Sequence, residues 1–150
     1  MIETATTETE PLALFERVKA FLVNLGLTPT VEDVANTLFV VDDESQGLKH
    51  LVIDCDEPIV VLEQFILELP PQAEADTYRR LLQMNRTLVH GAFVLDDTGR
   101  RLLFRDTLQL ATLDEAELRA SILSLTMAMA EHANELIGMS HQSNRLLAHS

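Results

Sequence analysis

Cysteine occurs once in this 150-residue chain, at position 55, so no internal disulfide can form and a reducing compartment suits the protein. Basic residues are scarce as well. Lys and Arg total 11 against 24 Asp and Glu, a net charge of −13. The imbalance sits in the first half: residues 1–75 carry 15 acids and 3 bases, residues 76–150 carry 9 acids and 8 bases. Phosphate backbones and anionic lipid surfaces both need a basic footprint, so nucleic acid and membrane are excluded as expected partners, and a protein partner is the default. No stretch approaches the ~20 uncharged apolar residues that span a bilayer, and the opening "MIETATTETE" has no apolar run of a secretory signal. The expected location is the cytoplasm. Tryptophan is missing and aromatics make up 5%, yet 47% of the residues are hydrophobic, an ordinary globular composition. Gly-rich phosphate loops, Ser or Cys nucleophile motifs, repeats and low-complexity linkers are all absent.

What is present reads as one domain long enough to bury about 68–70% of its unfolded surface. A loose tail is expected over 1–10. A helix follows, capped at Thr9 or Glu10, with Pro11 in its first turn and Gly26 at its end. Leu14, Phe15, Val18, Phe21, Leu22 and Leu25 repeat at the spacing of one buried face. From residue 27 the period changes to two or to continuous apolar runs. Strands are expected over 36–43, 48–55 and 59–69, the acidic "ESQG" and "DEP" being turns. The third is apolar on both sides, Ile59, Val61 and Phe65 against Val60, Leu62 and Ile66, which predicts a central strand covered on both faces.

Pro70-Pro71 stops that strand, and a second helix is expected over 75–89, capped by Asp76, with Leu81, Leu82 and Leu88 on one side. Asn85 falls on the same side, where a buried amide would tie helix to sheet. Two more strands flank "DDTGR". Thr112 and Glu115 then stand at capping-box spacing before a long helix that runs to about Gly138, followed by a loose tail over 139–150. On that helix Leu118, Ile122, Leu125, Met129 and Leu136 form one stripe, which Leu123, Met127 and Ile137 widen. So broad an apolar face predicts a helix that covers the sheet and also meets a second subunit. The order is α-β-β-β-α-β-β-α, an α+β fold with helices on an antiparallel sheet.

Few residues suggest chemistry. Asp97-Thr98-Gly99 spells the tripeptide that carries the catalytic carboxylate of aspartic proteases, which would require two such loops sharing a proton. That architecture is nearly all β, and Arg100 and Arg101 would set fixed positive charge beside the dyad. A short hairpin loop with Gly99 at positive φ accounts for the same residues, and a three-residue loop is expected. His50, Asp54 and Asp56 form the one sketch of a metal site, without a second histidine; His90, His132, His141 and His149 are scattered. The acidic turns lack EF-hand spacing. Cys55, between Asp54 and Asp56, reads as an inert buried thiol. Arg105 and Asp106 point to opposite strand faces and form no local pair. No catalytic, cofactor-binding or metal-binding residue is therefore assigned, and no partner-binding one.

Across roughly 11–138, the segments "LVIDCDEPIVVLEQFILELP", "LLQMNRTLVHGAFVLDDTGRRLLFRDTLQL" and "TLDEAELRASILSLTMAMAEHANELI" resemble the YbjN-type family, also described as type III secretion (Tir) chaperone-like. The resemblance implies a small, acidic, typically dimeric domain of the same element order, without enzymatic activity or cofactor. It implies a homodimeric protein-binding module acting as a chaperone or adaptor. A YbjN-like regulator of a signalling or stress pathway is the alternative, and an aspartic-type protease the remote one.

Overall fold

The computed structural model describes the backbone of residues 6–148 and the side chains of residues 11–140. Helix α1 (Thr6–Asn24) leads into β1 (Val31–Asp33), β2 (Leu38–Asp43), β3 (Leu48–Asp56) and β4 (Ile59–Glu68). Helix α2 (Ala75–Asn85), β5 (Ala92–Leu95), β6 (Arg101–Gln109) and α3 (Glu115–Ala148) complete the chain. The six strands make one sheet in the order β1-β2-β3-β4-β6-β5, with every neighbouring pair antiparallel. This is the expected α+β architecture with one addition. The three-residue edge strand β1 is too short and too polar ("VED") to show a period.

The helix faces pack as their spacing predicts. Phe15, Val18 and Leu22 of α1 are fully buried, and the Phe15 ring stacks on Phe39 of β2 at 4.2 Å between centroids. They join Val41, Leu51, Ile53, Val60, Leu62 and Phe104 of the sheet, and Leu118, Ile122 and Leu125 of α3, in the main core. Each such side chain contributes ~1.5–3 kcal/mol of transfer free energy. A second cluster, with Leu81 and Met84 of α2, Phe93 of β5, Leu102 of β6 and Leu136 and Met139 of α3, closes the β5–β6 end. Helix α1 ends in a full Schellman motif: Leu27 N–H donates to Leu22 C=O at 2.9 Å and Gly26 N–H to Val23 C=O at 3.0 Å.

Several local expectations are corrected. Helix α1 begins at Thr6, so Thr9 and Glu10 lie inside it rather than capping it. Helix α3 continues through Gly138 to Ala148, because buried Leu136 and Met139 hold both sides of the glycine, whose cost mid-helix is only ~1 kcal/mol. The expected loose tails are thus helical where described, and residues 1–5 and 149–150 lie outside the described residues. The cap of α3 is Asp114, which accepts Glu117 N–H at 2.7 Å; Thr112 instead donates to Gln109. Leu113 and Leu118, both buried, flank that cap as a staple. Asp76 does not cap α2 but pairs with Arg79 at 2.6 Å in its first turn. Leu82 is 72% exposed, since α2 turns Leu81 and Met84 inward and one further residue rotates out.

Two polar devices lock the sheet. Gln64, buried on the core side of β4, accepts Lys49 N–H and donates to Gly47 C=O, both at 3.0 Å. Asn85 donates to Phe93 C=O at 3.1 Å and accepts Phe93 N–H at 2.7 Å, as the helix-to-sheet tie requires.

Candidate functional site: an uncovered sheet face

Among the described residues, α1 and α3 pack on one face of the sheet and the other face carries no element. The apolar side chains that border its central concavity are Val52 of β3, Ile59, Val61 and Phe65 of β4 and Leu103 of β6. All are half-buried except Phe65, which is 45% exposed. Central β4 is therefore covered on one face only, against the sequence expectation. Its buried set is Val60, Leu62 and Gln64; Ile59, Val61 and Phe65 border a concavity of about 490 Å³. A bulge between Phe65 and Leu67 then reverses the alternation, so Leu67 pairs with buried Leu102 on the core side.

The charges that border this concavity are sorted by strand. His50, Asp54 and Asp56 stand on β3, Arg101 and Arg105 on β6. Between them Glu63 accepts Arg105 at 2.7 Å, and the Arg101 guanidinium lies 4.5 Å over the Phe65 ring. Asp54 and Asp56 form no ion pair among the described residues. Burial, and then the charge of Asp56, hold the Asp54 carboxyl above its ordinary range. That is the signature of an acid placed on a partly dry surface without its counter-charge.

A second surface runs along α3. Leu123, Met127 and Ile137 point outward at 47%, 58% and 53% exposure, while the Leu118–Leu136 stripe is packed inside. Beside the outward stripe lies a groove of about 400 Å³ bordered by Phe65, Ile66, Thr126, Ala130 and Ala133. Among the described residues the buried Thr126 hydroxyl has no hydrogen-bond partner.

The residues singled out for chemistry fall into structural roles. Asp97-Thr98-Gly99 is a hairpin loop between β5 and β6, of four residues (97–100) rather than three, with Gly99 at φ 74° and its N–H donating to Asp96 C=O at 2.9 Å. The carboxylate that organises the loop is Asp96, which accepts the Thr98 hydroxyl at 2.6 Å and lies below its ordinary pKa for that reason first. Sequence reasoning missed it because the tripeptide drew attention to its neighbour. His50, Asp54 and Asp56 do share the open face, but among the described residues no group of three His, Cys, Asp or Glu is placed to hold a metal. Cys55 is buried, and burial with Asp54 pushes its thiol up to about 12. His132 is buried beside Thr87, 3.1 Å away, and His90 is held through its backbone by Ser124; the side chains of His141 and His149 lie outside the described residues. Arg105 and Asp106 do part company: Asp106 accepts Ser121 Oγ of α3 at 2.7 Å on the core side. No described helix is long and apolar enough to cross a membrane.

The fold has solved relatives. YbjN from E. coli, described as a candidate transcription regulator, superposes with a TM-score of 0.60 at 16% identity, over 81% of this chain and 92% of that one. A chain of the HopA1–SchA chaperone–effector complex superposes at 0.57, again at 16% identity, over 79% and 92%. No curated protein sequence matches. The sequence profile of the CesT_Tir_1 family matches residues 12–142, nearly the whole described domain, and the chain belongs to that family.

Proposed function

We propose that the protein is a non-enzymatic, homodimeric protein-binding module that acts as a chaperone or adaptor. The observation that carries this reading is the pair of uncovered apolar surfaces, the open sheet face and the outward stripe of α3. An apolar surface rimmed by charge is how a soluble domain presents itself to another polypeptide. Membership of the CesT_Tir_1 family and the likeness to a chain of a chaperone–effector complex support it. The acid excess, −13 overall, points to a protein partner in the cytoplasm rather than to DNA or anionic lipid. The fold likeness to YbjN favours a second reading, a regulator working through the same protein-binding surfaces.

The test is affinity capture from the native host with the parent and with Met127→Asp. A specific protein retained by the parent and lost by the folded variant supports the module and identifies its partner. An adjacent client that needs the protein for solubility selects the chaperone, and a signalling component selects the regulator. Peptide-bond cleavage by the parent at acidic pH, abolished in Asp97→Asn, would refute the non-enzymatic assignment.

A further inference from the structure

We infer that the groove between α3 and the β3–β4 fork of the sheet binds a small amphiphilic acid, an alkyl chain ended by a carboxylate. Such a ligand is distinct from the polypeptide partner proposed above.

The groove exists because the sheet parts there. The β3–β4 ladder ends at the Val52–Glu63 pair, whereas β4 and β6 stay paired as far as Glu68 and Arg101. Past Glu63 the Gln64 side chain bridges the parting strands, through Lys49 N–H and Gly47 C=O, both at 3.0 Å. Helix α3 crosses the fork with Thr126, Ala130, Ala133 and Ile137, one face at i, i+4, i+7 and i+11. The two alanines are too small to fill it, and about 400 Å³ stays open between largely apolar walls. Size and lining are those of a small-molecule site.

The lining is sorted along the groove. A Cβ added to Gly47 would come 3.2 Å from the Met129 Cβ, so the turn before β3 borders the end nearer Thr126. Leu67, Leu136 and Ile137 wall the other end. At the first end most polar groups are spent. Asp43 accepts Ser45 N–H at 3.1 Å, Ser45 Oγ at 2.6 Å and Gln46 Nε2 at 2.8 Å, and Gln64 is committed to the backbone. Two donors are left. Among the described residues Lys49 forms no ion pair and the buried Thr126 hydroxyl has no hydrogen-bond partner. Lys49 is also the one charged residue bordering the groove, in a chain of 24 acids and 11 bases. An ammonium and a hydroxyl at one end of an apolar channel complement an anion on an alkyl chain, and a carboxylate brings acceptor oxygens for both. A doubly charged phosphate would set more negative charge beside Asp43 than one lysine offsets.

The volume sets the chain length. At the ~30 Å³ share of a water molecule in the liquid, 400 Å³ holds roughly a dozen methylene-sized groups. Each buried methylene strengthens binding about fourfold. Affinity should therefore climb from hexanoate to dodecanoate and level off beyond, where further carbons stay in water.

The experiment is isothermal titration calorimetry of the protein with hexanoate, octanoate, decanoate and dodecanoate below their micellar concentrations, and with decyltrimethylammonium as the charge control. Saturable one-to-one binding of the acids, about fourfold tighter per methylene, is expected, and none of the cation. Lys49→Gln should weaken decanoate about fivefold, the strength of a solvent-exposed ion pair. Ala133→Leu fills the groove and should abolish saturable binding with native circular dichroism retained, whereas Met127→Asp, outside the groove, should bind decanoate as the parent does. No saturable decanoate binding by the folded parent overturns the site. Binding unchanged in a folded Ala133→Leu overturns its place in the groove. Binding unchanged in Lys49→Gln, or matched by decyltrimethylammonium, overturns the acid. None of these readouts involves a polypeptide partner, so the failure of this site and the failure of the protein-binding reading are distinguishable.

Discussion

Two glycines at nearly the same backbone angle allow backbone strain and steric overlap to be separated. Gly91, just before β5, has φ 70°, and Gly99, in the β5–β6 loop, has φ 74°. Either one replaced by alanine incurs the left-handed penalty of ~1–2 kcal/mol. Their surroundings differ. A Cβ on Gly99 meets nothing within 4 Å, whereas one on Gly91 lands on Phe104 Cζ, 2.9 Å from Cε2 and 3.1 Å from the Arg105 carbonyl oxygen. Phe104 is fully buried in the main core and its ring has nowhere to swing. The backbone cannot retreat easily either, because Ser124 of α3 grips His90 by both its N–H (3.1 Å) and its C=O (2.6 Å). Overpacking of this kind adds ~1–3 kcal/mol. Gly91→Ala is therefore expected to cost about 2–5 kcal/mol, a large share of the ~5–15 kcal/mol of a typical domain. Gly99→Ala should cost only ~1–2 kcal/mol. Urea unfolding followed by circular dichroism measures both, with an unchanged slope as the control that the denatured state is the same. Equal losses in the two variants would refute the close approach of Gly91 to Phe104.

Other consequences are as direct. Gln64→Leu preserves volume but strips Lys49 N–H and Gly47 C=O of their buried partner, so unfolding should show a loss of about 2 kcal/mol or more. Asp54→Asn removes a carboxylate whose folded pKa is raised; the penalty exists only where the group is ionised, so the variant should melt higher than the parent at neutral pH and match it at pH below the carboxylate range. A lower melting point for Asp54→Asn at neutral pH would show that the acid has a partner. Asp97→Asn should shift stability by no more than ~0.5 kcal/mol. Asp96→Ala should lower it at neutral pH, and because the folded pKa of Asp96 is depressed, that difference should fade as pH falls through it.

Much of the fold is legible in the sequence because local signals and burial agree there. The α1 face, the Gly26 stop, the β6 alternation and the packed stripe of α3 follow from spacing alone. Where two readings fitted the same residues, the structure chose by packing. Thr112 and Asp114 each stand three residues before a glutamate, and only the second leaves Leu113 and Leu118 buried on either side of the cap. Leu82 adjoins Leu81, and an eleven-residue helix that touches the domain along one line can bury one of them. The edge strand β1 was illegible because its three residues are placed by pairing with β2, not by any preference of their own.

The one misreading with functional weight concerns β4. Its sequence is apolar on both sides, and the expectation of two covered faces follows from the rule that such strands are buried on both. In the single chain only the Val60–Leu62–Gln64 side is covered, while Ile59, Val61 and Phe65 remain at the surface. Selection acts on the state in which a protein works, so the periodicity of a strand reports the burial of that state. A strand that reads as doubly covered but is singly covered in isolation is a strand awaiting a second layer. The neighbouring residues agree. An unattached surface carboxylate would be expected in full water, yet Asp54 is partly desolvated already, beside Val61 and without a cation. A partner layer on this face would supply both missing elements together, covering Val61 and bringing a donor to Asp54. Val61→Asp sets a carboxylate in that face and is expected to keep the native circular dichroism while abolishing capture of the protein partner; capture that survives the substitution refutes this reasoning from periodicity to assembly.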